Sequence, residues 1–158
     1  MSQVTETTPT PDITKPGILS GWTPEVISLL LLRIWIGLRL LIAGFEKFQS
    51  GKEFSFEIYN TKMANFATYF TEQTILPGWL ATPYCYSLGY LLITFGFMVL
   101  LGVRPLLSYG LAGLMFISLS FGLMIDNEAS GVAWLGTHMI LTVMALMLAK
   151  HNRFAVLG

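Results

Sequence analysis

Between Arg104-Pro105 and Asp126 the chain reads LLSYGLAGLMFISLSFGLMI (Leu106–Ile125), and no side chain in this run carries a charge. A helix needs about 20 mostly apolar residues to cross the hydrocarbon core of a bilayer. A helix on the surface of a soluble domain would keep a polar face, and this run has none. It therefore predicts a membrane-spanning helix.

Three further segments of similar length and composition accompany it: Val26–Phe45, Tyr84–Val103 and Val132–Ala149. Only 11% of the residues are charged, whereas a soluble domain carries about 25%. The predicted fold is all-α, a bundle of four transmembrane helices forming one domain over residues 23–158. The bilayer is its predicted partner, and a net charge of zero gives no indication of nucleic acid.

Two polar segments lie outside these spans. Residues 1–22 are rich in Thr, Pro and Ser without an apolar core, which predicts a disordered cytoplasmic tail and not a signal peptide. Gln49–Pro83 connects the first two spans and contains an amphipathic segment, which predicts a helix on the membrane surface or over the bundle. A plain loop helix packed on the bundle is the alternative. The predicted buried face consists of Phe56, Tyr59, Met63, Phe66 and Phe70.

Basic residues in the short loops predict the orientation. Arg104 lies between the second and third spans, and Lys150 and Arg153 follow the fourth, whereas the loop after Ile125 has two acids and no basic residue. Positive residues remain on the cytoplasmic side. With four spans, both termini are predicted to be cytoplasmic, in the inner (plasma) membrane of a prokaryotic cell.

The first span contains two arginines, and a charge inside a bilayer costs at least about 2.5–3.5 kcal/mol unless it meets protein or water. Arg33 is predicted to be a buried charge that can extend toward the cytoplasmic surface. It shares a helical face with Gly37 and Gly44, which predicts the close approach of another helix. Arg39 lies nearer the outer end and points away from that surface, so it is predicted to need a partner on another helix.

Polar residues of other spans lie at the depth of Arg39, roughly 8–11 Å below the outer interface by helical rise. They predict a polar layer that binds a ligand, although such residues can also serve only to hold helices together. The layer consists of Arg39, Tyr90, Ser118, His138 and Thr142. The predicted outer rim above it consists of Glu46, Asp126 and Glu128.

The sequence offers few groups for catalysis or for a resident cofactor. Its two histidines, His138 and His151, are thirteen residues apart, about 20 Å along a helix, so one chain cannot ligate a bis-histidine haem. Zinc, phosphate-loop and nucleophile motifs are absent. No catalytic residue, metal or cofactor held by the chain is predicted, and Cys85 is expected to be a packing residue.

Short motifs follow one another in order along residues 24–158: Leu31-Leu32-Arg33 with Gly37, Gly44-Phe45-Glu46-Lys47-Phe48, Leu76-Pro77-Gly78-Trp79-Leu80, Leu100-Leu101-Gly102-Val103-Arg104-Pro105 and Asn152-Arg153-Phe154. In order and spacing they resemble the DoxX-like family of small four-helix membrane proteins. Its named members include membrane subunits of thiosulfate:quinone oxidoreductase and terminal quinol oxidase complexes. The resemblance implies quinone as a ligand and other membrane or redox subunits as partners. Many relatives carry a carboxylate in the second span, and Tyr84–Val103 has none.

Three functions remain open on this basis. The first is a non-catalytic subunit of a quinone-linked respiratory or redox complex, with Arg39 as a donor to the quinone and His138 exchanging a proton. The second is a structural or accessory membrane protein without a ligand. The third is a small transporter. It has the least support, because the chain has only four predicted spans and no inverted repeat.

Overall fold

The computed structural model describes residues 22–73 and 77–151, without the side chain of His151. The tail predicted over residues 1–22, apart from Trp22, lies outside the described residues, as do Leu76, Arg153 and the Asn152–Phe154 motif. Five helices make up nearly all of the described chain. They are α1 (Pro24–Phe48), α2 (Phe56–Gln73), α3 (Gly78–Leu101), α4 (Pro105–Ile125) and α5 (Ala129–Leu148).

Helices α1, α3, α4 and α5 are each long and apolar enough to cross a membrane. The predicted all-α bundle of four spans is therefore confirmed. A two-stranded hairpin, β1 (Gln49–Ser50) and β2 (Glu53–Phe54), joins α1 to α2, and a 3₁₀ turn (Ala149–His151) follows α5.

The second span starts earlier than predicted. Helix α3 begins at Gly78 and continues through Pro83, whereas the prediction began it at Tyr84 because proline usually interrupts a helix. Transmembrane helices tolerate proline where neighbouring groups satisfy the freed backbone. The helix ends before Gly102, whose φ of 68° is left-handed and whose N–H caps the helix at the carbonyls of Met98 and Val99.

Glycines bring α1 and α3 close together. A Cβ on Gly44 would lie 2.6 Å from Ile93 Cγ1 and 3.2 Å from the Gly89 carbonyl oxygen. A Cβ on Gly37 would lie 2.5 Å from Leu100 Cγ. The predicted close approach along this face of α1 is therefore confirmed, and α3 is the helix that approaches.

Helix α2 packs against the N-terminal half of α3. Its buried residues are Tyr59, Met63 and Ala67, and the Tyr59 hydroxyl donates to the Tyr86 carbonyl at 2.6 Å. The predicted helix is confirmed, but its predicted face is wrong for Phe56 and Phe66, which are exposed. The buried stripe advances in steps of four residues, from Tyr59 to Met63 and Ala67.

Candidate functional site

A cavity of about 380 Å³ lies beneath α2, between the ends of the four spanning helices that face α2. This volume is within the range of small-molecule sites. Its walls are mainly leucines of α3, α4 and α5, and Met63, Phe66 and Phe70 of α2 cover it. The apolar wall residues include Leu88, Leu92, Leu119, Leu123 and Leu135.

Arg39 is the cationic side chain at the deep end of this cavity. It is half-buried on α1 and lines the cavity together with Ser118 and His138. No residue in the described part of the chain forms a hydrogen bond or an ion pair with its guanidinium. Its electrostatic interaction with Lys47, in the last turn of the same helix, is repulsive. Arg39 thus lines one cavity with Ser118 and His138, and the predicted direct hydrogen bond to them is not formed.

His138 has one satisfied ring nitrogen and one free one. Its Nδ1 lies 2.7 Å from the Trp134 carbonyl oxygen. A carbonyl only accepts, so Nδ1 carries the proton, and Nε2 of the neutral ring is an acceptor. The side chain is only 5% exposed, and Nε2 has no hydrogen-bond partner among the described residues. A buried acceptor of this kind needs a donor, which a ligand can supply.

The His138 ring is held by aromatic neighbours as well as by the Trp134 carbonyl. Trp35 of α1 stacks on it with ring centroids 6.4 Å apart, and Phe116 of α4 packs at 5.6 Å. Three helices therefore fix the orientation of one imidazole.

Tyr84 and Ser118 form a second polar pair in the cavity wall, where their hydroxyls hydrogen-bond to each other. Ser118 was a predicted site residue. Tyr84 was not, because the predicted second span began at this residue, at the depth of the interface. The extension of α3 to Gly78 instead places Tyr84 a turn and a half inside the helix, facing α4.

The rim of the cavity carries charges of both signs. Glu46, Lys47 and Asp126 line it, and the Tyr69 hydroxyl of α2 donates to Asp126 Oδ1 at 2.6 Å. This hydrogen bond to a carboxylate, with partial desolvation, raises the pKa of Tyr69 above its ordinary value. The contact attaches α2 to the end of α4. Glu128, the third predicted rim residue, lies outside the cavity lining, as an exposed residue before α5.

Two of the predicted layer residues face elsewhere. Tyr90 is 50% exposed and packs edge-on against Tyr59 at 5.3 Å. The cavity face of α3 is formed by Leu88 and Leu92, and Tyr90 lies about 200° around the helix from each. Thr142 is buried, but its hydroxyl donates to the His138 carbonyl of its own helix at 2.8 Å. It lies one turn deeper than His138, below the cavity.

Arg33 is buried, as predicted. It is 6% exposed, and its Nε donates to the carbonyl oxygens of Val99 at 3.1 Å and Leu100 at 2.8 Å. The last carbonyls of a helix lack partners within it and carry the negative end of its dipole, so α3 offers a binding place for a cation. Gly102 leaves room for the guanidinium, because a Cβ there would lie 2.6 Å from Arg33 Cζ.

No group of three or more His, Cys, Asp or Glu residues that could hold a metal ion occurs within residues 22–73 and 77–151. Cys85 is buried and unpaired, and it lines the cavity beside Leu88. The site therefore consists of an apolar cavity whose deep end holds Arg39, His138 and the Tyr84–Ser118 pair.

Four membrane-spanning helices around a covered cavity define a multi-pass membrane protein with an internal cavity. The DoxX family model matches residues 28–122, so the chain belongs to the DoxX family. No curated protein and no solved structure matches the chain. The matched residues contain Arg39, Tyr84 and Ser118, whereas His138 lies beyond them on α5.

Proposed function

We propose that the cavity binds a quinone and that the protein is a non-catalytic membrane subunit of a quinone-linked redox complex. The observation that carries this proposal is the pairing of a free donor with a free acceptor. Arg39 and His138 line the deep end of one apolar cavity, and neither the guanidinium nor Nε2 has a partner in the described chain.

Both redox forms of a quinone suit this pair. The oxidised ring has carbonyl oxygens that accept from the guanidinium of Arg39. The reduced ring has hydroxyls, one of which donates to Nε2 of His138. When Nε2 takes that proton, the Trp134 carbonyl at Nδ1 stabilises the imidazolium that forms. His138 can therefore exchange the proton that accompanies quinone reduction or quinol oxidation.

The apolar walls suit the ring and the start of a prenyl tail. Trp134 lines the cavity and is also 68% exposed on the surface of α5, so the cavity extends to the bundle surface there. A tail that leaves beside Trp134 would enter the lipid. The sequence has one cysteine and two histidines, so we assign the electron-transferring group to a partner subunit.

The test is a titration of the purified full-length protein with decylubiquinone, followed by quenching of tryptophan fluorescence. The wild type is expected to bind saturably. Arg39→Leu and His138→Phe should each weaken binding by about tenfold, as the loss of one hydrogen bond to a charged or buried group predicts. Tyr90→Leu is the control, because it changes a polar residue at the same depth outside the cavity.

Three outcomes separate the proposal from its alternatives. Weaker binding in Arg39→Leu with an unchanged melting temperature supports a quinone site. Loss of binding and melting temperature together supports a purely structural layer. Absence of saturable binding to a folded wild type refutes quinone binding.

We also propose that both termini face the cytoplasm, so that α2 lies on the opposite side of the membrane. The proposal rests on the positions of Arg104, Lys150 and Arg153, with Glu46, Asp126 and Glu128 at the other end of the bundle. Alkaline phosphatase fused after Gly158 is expected to be inactive, and fused within the Gly51 turn to be active. Activity of the C-terminal fusion would reverse the orientation.

A further inference from the structure

The charges that line the cavity are unevenly distributed. At the rim, the cation of Lys47 lies beside the carboxylate of Glu46, and Asp126 follows the last residue of α4. At the deep end, Arg39 is the charged residue, and Glu46 is seven residues further along the same helix, roughly 10 Å away. The remaining polar groups at that depth are His138 and the Tyr84–Ser118 pair. The deep end therefore carries a positive charge that no carboxylate balances.

Filling the cavity changes the environment of that charge. While the cavity contains water, water solvates the guanidinium. A ligand that displaces this water must replace the solvation, because a desolvated charge without a partner is costly. A neutral carbonyl oxygen provides one hydrogen bond. An oxyanion provides a charge-assisted bond, roughly twice as strong, and neutralises Arg39 as well.

We infer that the natural ligand is an acidic quinone or quinol that binds as its oxyanion, with the negative oxygen at Arg39. This inference rests on the proposed quinone function and specifies the chemistry of the head group. His138 accepts the proton that the ligand loses. When a neutral ligand enters, its O–H bond breaks, the electron pair stays on oxygen, and the proton forms a bond to Nε2. The bound state is then an oxyanion with two cationic donors, Arg39 and the imidazolium of His138.

Two naphthoquinones test the inference as a matched pair. Lawsone carries an acidic hydroxyl, ionised at neutral pH, where menadione carries a methyl group. Binding of both is measured on the full-length protein, in a Cys85→Ala background because menadione adds to thiols. Each quinone partitions into detergent equally for all variants. The ratio of the menadione Kd to the lawsone Kd, compared between variants, therefore cancels partitioning.

Arg39→Gln is expected to lower this ratio by at least about tenfold, because it removes the charge while keeping a hydrogen-bond donor. Lys150→Gln, which removes a cation at the other end of the bundle, should leave the ratio unchanged. An unchanged ratio in Arg39→Gln overturns the inference while quinone binding itself stands. Absence of binding of both quinones to the folded protein overturns the proposed function and the inference with it.

A third probe, naphthoate, is an anion of similar size without quinone carbonyls. If naphthoate and lawsone bind equally well and both depend on Arg39, while menadione does not bind, the site takes organic anions in general. In that case the oxyanion contact is correct and the assignment to quinones is wrong.

Discussion

Arg33 and Arg39 lie six residues apart on the same helix, and their surroundings are opposite. Arg33 is buried, and the carbonyls of Val99 and Leu100 at the end of α3 accept its hydrogen bonds. Arg39 is half-buried in a cavity, and no described residue bonds to it. The first arginine joins two helices, and the second is available to a ligand.

The difference comes from what α3 presents to α1 at each depth. At the Arg33 end α3 terminates, so its last carbonyls need donors. At the Arg39 end α3 is in mid-helix, its backbone is satisfied, and it presents the apolar side chains of Leu88 and Leu92. Depth alone therefore does not determine whether an intramembrane charge is structural or binds a ligand. The partners that neighbouring helices supply determine it.

The largest expected effect is that of removing Arg33. Arg33→Leu should lower the free energy of unfolding by about 3 kcal/mol, because it removes charge-assisted bonds and leaves the Leu100 carbonyl without this buried donor. Arg33→Lys should be intermediate, since it keeps the charge but not the forked geometry. Arg39→Leu should stay within about 1 kcal/mol of the wild type. Unfolding in SDS measures the stability of all three variants. If Arg33→Leu and Arg39→Leu lowered the free energy of unfolding equally, the two arginines would not differ in structural role.

The next effect concerns the space that Gly102 leaves for Arg33. Gly102→Ala should destabilise the protein by about 2 kcal/mol, because alanine is strained at a left-handed φ and its Cβ would meet the guanidinium. Gly110→Ala is the control. Its Cβ would meet no atom within 4 Å, and alanine is the better helix former there by about 0.5–1 kcal/mol. A Gly102→Ala protein as stable as Gly110→Ala would show that the Arg33 contact does not need this close fit.

A smaller effect is expected at the deep end of the cavity. His138→Gln should weaken decylubiquinone binding by several-fold while changing the melting temperature little, because Nε2 contacts no described residue. Thr142→Ala, one turn away on the same helix, should leave binding unchanged. Isothermal titration calorimetry measures the affinities. Equal weakening in both variants would mean that the substitutions act through the packing of α5.

The smallest effect concerns the cover of the cavity. The pKa of Tyr69 is raised by its hydrogen bond to Asp126. The contact between Tyr69 and Asp126 therefore stabilises the packing of α2 over the cavity at neutral pH. It is lost as the pH rises through the raised pKa of Tyr69. A spin label at Asn65 should become more mobile at alkaline pH in the wild type. In Tyr69→Phe it should already be slightly more mobile at neutral pH and show a smaller alkaline change.

Tyr59 also has a raised pKa, owing to burial, and is present in both proteins. The difference between wild type and Tyr69→Phe therefore isolates Tyr69. An identical pH response in both would show that the contact does not hold α2.

The four spans follow directly from the sequence because each is long, apolar and bounded by charges or turn residues. The close packing of α1 and α3 was also predictable, since Gly37 and Gly44 lie on one face. Depth along each helix follows from the rise per residue, and this brought Arg39, Ser118 and His138 to one level.

Rotation about each helix axis was harder to predict than depth. Tyr90 has the right depth and the wrong face, because an all-apolar helix such as α3 gives no amphipathic pattern to fix its rotation. The partners of Arg33 were not predictable for a different reason. Its partners are backbone carbonyls at the end of another helix, and a sequence pattern does not show which helix end lies beside which side chain.

We propose that a ligand occupies the cavity at Arg39 and not the packed region around Arg33. Photolabelling with a radioactive azidoquinone, followed by mass spectrometry of the labelled residues, shows where the ligand binds. The expected labels are on cavity residues such as Phe70, Leu119 and Trp134, and excess unlabelled quinone should suppress them. Labels that are spread over the lipid-facing residues or gathered near Arg33, without competition, would contradict the claim.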